Sequence, residues 1–458
     1  MIAPVTTIAK NTLIEAIRQP VFLILVLVAG LLQVLNTWIT GFSMGYRRVP
    51  GEVTGDDKLL LDIGLSTIFV CGTLLAAFIA TAAISREIEN KTILTVVSKP
   101  VGRTTVVIGK YLGIAGALAI AIYLMQLGLL LAIRHGVLST AADDPDQPVI
   151  VFTCLAVFGS LIIAAITNFM YGWQFSQTTV FFLVPTLTLA YLGVLLIDED
   201  WKMQPVFTDI KPQIMLAGSG IAIALLVLAA VATAASTRLG QVMTIVVCAG
   251  VFVLGLLSNH FIGRYAYVNT PVGEITGAQS DSQINQRFDE MGAVYHIAIK
   301  RESTAELAIG DVLYYGPSPN GVGISTPPVS PAFDASDINL DNTRFPAGTP
   351  GAIVITQFPD ETNGLGITLK NVGNPPVPVL APPMAGDFIF ITHTTTNPLA
   401  QVAWGVIPNM HVFWMIDAVS QARDIPLSHL GLIALYGLSQ IIAMLAVAVM
   451  LFQTRDVG

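Results

Sequence analysis

REIENKTILTVVSKPVGRTTVVIGKY, residues Arg86–Tyr111, lies between two long apolar runs and differs from both. It carries five basic residues, Arg86, Lys91, Lys99, Arg103 and Lys110, and two acids, Glu87 and Glu89. Ile88, Thr92, Thr95 and Val96 recur near one helical stripe, so the segment reads as a short amphipathic helix. Pro100–Gly102 ends that helix before Arg103. A linker between membrane helices needs neither the charges nor the stripe. The same pattern also fits a solvated loop that only sets topology.

The surrounding composition decides the class. Of 458 residues, 53% are hydrophobic and 11% charged, with a mean hydropathy of +0.71. Soluble domains carry about 25% charged residues, so the chain is an integral membrane protein. A net charge of -8 leaves no surplus of cations for a phosphate backbone, which argues against nucleic acid as a partner. Cys71, Cys154 and Cys248 all fall in apolar runs and behave as small hydrophobes, so no disulfide framework is implied. Glu15 and the lack of a small-residue cleavage site after the first apolar run argue against a cleaved signal peptide.

A membrane helix needs about 20 apolar residues. Seven charge-free intervals reach that length: Arg18 to Arg47, Asp62 to Arg86, Lys110 to Arg134, Asp146 to Asp198, Lys211 to Arg238, Arg238 to Arg264, and Asp424 to Arg455. The fourth is too long for one crossing and is interrupted by NFMYGWQFSQTT at Asn168–Thr179, so it reads as a helical hairpin. Eight spans result. Lys10, Arg18, Arg86, Lys91, Lys99, Arg103, Lys110, Arg238 and Arg455 fall on one side, and Arg47, Arg48, Lys58, Arg134, Lys202 and Lys211 on the other. Nine cations against six place the first set, with both termini, in the cytoplasm.

The polar segment Arg264–Asp424 is then extracytoplasmic. Its stretches Val294–Lys300, Gly351–Thr356, Leu365–Lys370 and Asp387–His393 alternate with period two between turn residues, which predicts a β-rich domain. Before Pro20, Val5, Ile8, Leu13, Ala16 and Ile17 share a helical face free of Lys10, Glu15 and Arg18. Such a helix can lie in the headgroup plane or serve as a plain leader to the first span.

Three further stretches accompany the opening one: IAKNTLIEAIRQPVF (Ile8–Phe22), IPNMHVFWMIDAV (Ile407–Val419) and LFQTRDVG (Leu451–Gly458). Together with SREIENKTILTVVSKPVGRTTVVIGKYLG (Ser85–Gly113) they resemble, in order, parts of the ABC transporter permeases of the ABC-2 type. These are the elbow helix, the outer helix before the last span, the C-terminal end and the cytoplasmic coupling loop. The common core of that family has six spans; here the pair between Gln213 and Phe261 is additional and the outer domain is larger.

The resemblance implies a subunit that forms the transport pathway while a separate ABC-type ATPase supplies energy, with a second permease subunit, identical or related, beside it. It implies that the ATPase docks on Glu87, Ile88, Glu89, Lys91, Thr92, Val96, Lys99, Pro100 and Arg103. Independently, the sequence has no G-x-x-x-x-G-K-[ST] loop: Gly109-Lys110 is followed by Tyr111, and Thr104 stands where the first glycine belongs. The chain is therefore not expected to be an enzyme or to need a cofactor.

Gln33, Asn36, Thr73, Gln126, Thr186, Thr188 and Gln440 are polar positions within spans that either line a path or bond neighbouring helices. Gly109, Gly113 and Gly116 permit close helix approach. His135, His260, His296, His393, His411 and His429 show no metal-ligand spacing, and no catalytic constellation is visible.

The expected architecture is an all-α polytopic membrane protein of about eight transmembrane helices with an inserted extracytoplasmic β-rich domain, multi-pass in the cell (inner) membrane. Residues 1–20 form the elbow helix, and 21–263 seven spans with the coupling loop at 86–110. Residues 264–405 form the outer domain, 406–424 an outer interfacial helix, and 425–458 the last span and tail. The expected function is an ATP-driven export permease. A membrane scaffold or sensor with a ligand-binding outer domain is the alternative, and an ion-coupled carrier is disfavoured because the spans lack a charge at mid-depth.

Overall fold

The computed structural model describes residues 2–40, 55–85, 102–137, 145–281, 288–301, 307–321, 348, 351–358, 366–379, 381–415, 419 and 425–454. Its helices are α1 (Ile2–Arg18), α2 (Pro20–Ile39), α3 (Gly55–Ala80), α4 (Arg103–His135), α5 (Gln147–Tyr171), α6 (Phe175–Leu196), α7 (Pro212–Ser236), α8 (Gln241–Ser258), α9 (Pro398–Val406) and α10 (Leu427–Gln453). α3 is prolonged by a π-helical turn at Thr81–Ser85, and α8 through a second one at Asn259–Gly263 as far as Ala266. Among the described residues, eight of these helices are long and apolar enough to cross a bilayer. The chain divides into two compact units, Met1–Leu256 with Pro408–Gly458, and Leu257–Ile407.

In the helical unit the long fourth interval is indeed a hairpin. α5 ends at Gly172, whose left-handed φ of 67° suits glycine, and its N–H donates to the Asn168 carbonyl at 3.0 Å. The Asn168 side chain closes the turn on the Trp173 carbonyl. At the other end Asp146 caps α5, accepting the Val149 N–H at 3.1 Å.

The bundle centre is α7, which packs against α3, α4 and α10. Its Ala- and Gly-rich sequence leaves little side-chain bulk, so backbones approach closely; Ala224, Leu225, Val227, Leu228, Ala229 and Ala230 are all fully enclosed. Of the pair expected to be additional to a six-span core, α7 is therefore central. α8 keeps Val242, Val246 and Leu254 exposed, as a lipid-facing helix does.

The second unit is built on a six-stranded antiparallel sheet. Its strands are β2 (Gly273–Ser280), β3 (Val294–Arg301), β4 (Tyr314–Gly316), β5 (Ala352–Gln357), β6 (Ile367–Val372) and β7 (Phe388–Phe390), ordered β4-β7-β2-β3-β6-β5. A two-stranded ribbon, β1 (Tyr267–Val268) with β8 (Thr395–Thr396), pairs the two ends of the unit. Along β3, Tyr295 and Ile297 turn inward while Ala298 and Lys300 face out, the expected period of two. They meet Ile275, Ile355, Leu369, Ile389 and Phe288 in a separate apolar core.

The four predicted strand stretches overlap β3, β5, β6 and β7. β2 escapes the pattern because GEITGAQS is polar and glycine-rich, with a bulge between Ile275 and Gly277, yet it pairs on both edges. Of residues 406–424, expected as an outer helix, the described ones hold a 3-10 turn at Met410–Phe413. The described α9 ends at Val406, where that stretch begins, and Val419 within it is also helical, while residues 416–418 and 420–424 lie outside the described residues.

Asn371 on β6 is fully buried. Its amide donates to the carbonyls of Phe288 (3.0 Å) and Val377 (2.9 Å) and accepts the Val377 N–H (3.0 Å). Asn371→Ala leaves three buried backbone groups unpaired, at a cost of about 1–3 kcal/mol for each. We expect this substitution to abolish cooperative unfolding of the β-rich unit, read by near-ultraviolet circular dichroism on the isolated segment 264–405. The parent segment, which has no cysteine, should unfold identically with and without reducing agent.

Candidate functional site

Glu87, Ile88, Glu89, Lys91, Thr92, Val96, Lys99 and Pro100 of the expected docking surface lie outside the described residues, and Arg103 lies within them. The two stems that carry this segment are described, and they form one framework.

The first stem is the π-helical turn Thr81–Ser85, with all five residues buried. Its wider hydrogen-bond spacing frees carbonyls from the usual ladder. The Lys110 ammonium, 5% exposed, reaches across from α4 and donates to the Ala83 carbonyl at 2.5 Å. Sequence reasoning placed Lys110 at the span boundary, but it lies two turns inside α4. A buried ammonium is tolerated when carbonyls satisfy it, and here it ties both stems together.

The second stem is the start of α4. The Arg103 guanidinium donates to the carbonyls of Gln453 (2.8 Å) and Phe452 (3.3 Å) and lies over the Phe452 ring. Arg238, just past α7, donates to the Leu451 carbonyl at 3.1 Å and to the Thr454 hydroxyl. The last turn of a helix exposes carbonyls and carries partial negative charge. Two arginines, one from the start of α4 and one from the turn after α7, therefore cap α10, above a buried cluster of Val107, Ala234, Ala448 and Phe452.

α1 completes the framework. It runs in the same direction as the first turns of α4, with Val5 and Ile8 beside Gly109, Ala9 and Thr12 beside Gly113, and Leu13 beside Gly116. A Cβ at Gly113 would come within 2.6 Å of both the Ala9 carbonyl and the Thr12 Cβ. The glycines therefore let the two backbones touch. α4 has 33 residues, about 50 Å of helix, more than a bilayer core of about 30 Å requires. The Arg103–Gly116 portion covered by α1 is the surplus. At its far end α1 is tied to α6 by the Arg18–Gln177 hydrogen bond of 2.7 Å.

The polar span residues mostly bond between helices. Gln33 donates to the Met125 carbonyl (3.0 Å), Asn36 to Leu60 (2.9 Å) and Gln126 to Ile214 (3.5 Å). Thr186 meets Ser160 (2.9 Å) and Thr188 meets Tyr123 (2.8 Å). Thr73 bonds within its own helix to Phe69, and Gln440 bonds Tyr436 one turn away. Among the described residues, no group of three or more His, Cys, Asp or Glu is arranged to hold a metal ion.

Sequence reasoning missed the role of Arg134, counted only as a loop cation. Its side chain, 12% exposed, is surrounded by Asp146 (3.0 Å), Asp209 (2.9 Å), Glu199 (3.2 Å) and Asp198 (3.7 Å). Only the Glu199 contact has hydrogen-bond direction, so Asp146 and Asp209 are held by charge. The signal in the sequence was the clustering of acids in the loops on either side of α5–α6.

Residues 6–169 match the family described as ABC-2 family transporter protein. The match covers the sequence from α1 through most of α5, including both stems. No curated protein and no solved structure is significantly similar to the chain.

The α1–α4 contact makes a direct prediction. Gly113→Val should force α1 off α4, at an overpacking cost of about 1–3 kcal/mol, lowering the unfolding temperature and speeding tryptic cleavage at Lys10, whose side chain is exposed but whose backbone is held in the packed helix. Gly159→Val on α5, where an added Cβ meets nothing within 4 Å, should leave both readouts unchanged.

Proposed function

We infer that this chain, which carries an ABC-2 family transporter domain and is a multi-pass permease of the ABC transporter class, forms the pathway of an ATP-driven exporter. In this reading a separate ATPase docks on Glu87–Arg103, and nucleotide-driven closure moves the chain mechanically. A second permease subunit stands beside it in the bilayer. Both termini and residues 86–110 are cytoplasmic, and residues 264–424 are extracytoplasmic.

The observation that carries this reading is the bracing of both stems. A connecting loop without a mechanical role needs no buried lysine across its base, no arginine cap onto the last span and no second helix packed along its exit. A push on residues 86–101 would reach α3 through the π turn and α4 through its first turn.

Proline at Thr92 would remove a hydrogen bond from the expected docking helix and clash with its preceding turn, costing about 3 kcal/mol in a helix interior. Membrane spans keep their own hydrogen bonds. Thr92→Pro should therefore leave the chain in the membrane while abolishing copurification of an ATPase and stimulated ATP hydrolysis. A normally stimulated ATPase with Thr92→Pro would reduce the loop to a topology signal and favour the scaffold reading.

Orientation is tested separately. A cysteine at Asn320 in a cysteine-free background should react with an impermeant thiol reagent in intact cells, and one at Lys91 should not. The reversed pattern overturns the orientation and the docking role together.

A further inference from the structure

Between α2, α4, α5 and α6 the helical unit contains a cleft of about 630 Å³, within the size range of small-molecule sites. Its walls are almost wholly apolar, from Val26 through Leu31 and Val34 on α2 to Val157 and Phe158 on α5. Leu31, Val34, Ile150 and Phe158 are each more than 40% exposed, so the cleft opens sideways onto the surface that faces lipid. Val26 to Trp38 is twelve residues of helix, about 18 Å, close to the depth of one bilayer leaflet at about 15 Å. An extended alkyl chain matches that length and lining.

One end differs. Thr37, Trp38, His135 and Pro145 gather there, and His135 Nδ1 is buried without a hydrogen-bond partner. So is the Thr153 hydroxyl one helical level deeper. His135 follows Arg134, and Pro145 precedes Asp146, so the cleft ends against the cluster of one guanidinium and four carboxylates. One positive and four negative charges leave three negative charges in excess. That field favours a cationic head over an anionic one, and the exposed Trp38 ring adds a face for an ammonium group.

We propose that this cleft is a binding site for an amphiphile with an alkyl chain and an ammonium head, entering from the leaflet at the Trp38–His135 end. The proposal rests on the membrane placement of these helices and not on the ATPase partnership, so it is tested on the purified full chain. Cys154 lines the cleft and is exposed, whereas Cys71 and Cys248 are buried. The native thiol is thus a reporter of occupancy.

In maltoside micelles, alkylation of Cys154 by an apolar maleimide, read by peptide mass spectrometry, should be slowed by dodecyltrimethylammonium at about tenfold lower concentration than by dodecanoate, a difference of about 1.4 kcal/mol. An added Cβ at Gly30, on the cleft wall, meets nothing within 4 Å. Gly30→Phe should therefore fill the space, slow alkylation by itself and remove the effect of either probe. If that variant does not fold, Asp198→Asn with Glu199→Gln, at exposed positions, should narrow the gap between the two probes, because the excess falls from three negative charges to one; an unchanged gap overturns the proposal. Equal protection by both probes in the parent chain overturns the proposal. So does a thiol that reacts only once the chain is diluted to monomers, because a second copy would then cover the cleft.

Discussion

Contact between two backbones, α1 laid along the glycine face of α4, is the constraint on which the helical unit depends. Without Cβ atoms at Gly109, Gly113 and Gly116, α1 reaches the α4 surface closely enough for Thr12 and Ala16 to be buried. In a bilayer the apolar surroundings give helices little reason to associate, so such close van der Waals packing carries much of the cohesion. With α1 in place, the overlong α4 is sheathed where it carries Lys110. The ammonium is then enclosed and donates to the Ala83 carbonyl. The π turn, the lysine and the glycine face are consequently one assembly, and loss of the α1 contact would unseat the others.

Much of the helical framework was legible because charge marks the ends of membrane helices so strongly. The intervals free of Asp, Glu, Lys and Arg locate eight spans, and the aromatic, polar run Asn168–Thr179 identifies the hairpin turn that centres on Gly172. The same rule misplaces the start of α4, because a lysine reads as a boundary, whereas the Ala83 carbonyl lets Lys110 lie inside the helix. In the β-rich unit, β3, β5 and β6 show themselves by alternation. β2 does not, since its two edges are both paired and its glycines serve a bulge instead of a packed face.

The candidate site was less legible than the fold. The resemblance names Arg103 as a docking contact, but no local pattern shows that its guanidinium also bonds the last carbonyls of α10, 349 and 350 positions away in sequence. A pairing across that distance leaves no trace in a local pattern. Arg238 looked like a lone topology signal for the same reason. The polar residues within spans were ambiguous between lining a path and tying helices. Gln33, Asn36 and Gln126 resolve toward ties, each donating to a carbonyl on another helix.

The two ends of α4 are held by different physics, and the difference indicates where the unit can yield. At Arg103 the partners are helix-terminal carbonyls, fixed dipoles that cannot be removed by rotating a side chain. At Arg134 the partners are carboxylates of unequal burial. Asp146 is 2% exposed and cannot leave the guanidinium without stranding a buried charge, whereas Asp198 and Glu199, 49% and 65% exposed, exchange protein for water at little cost. Asp146 caps α5, and the exposed pair follows α6. α4 and α5 are therefore the pair most firmly joined at this end. Any opening between helices there should begin at the loop after α6, beside the charged end of the cleft.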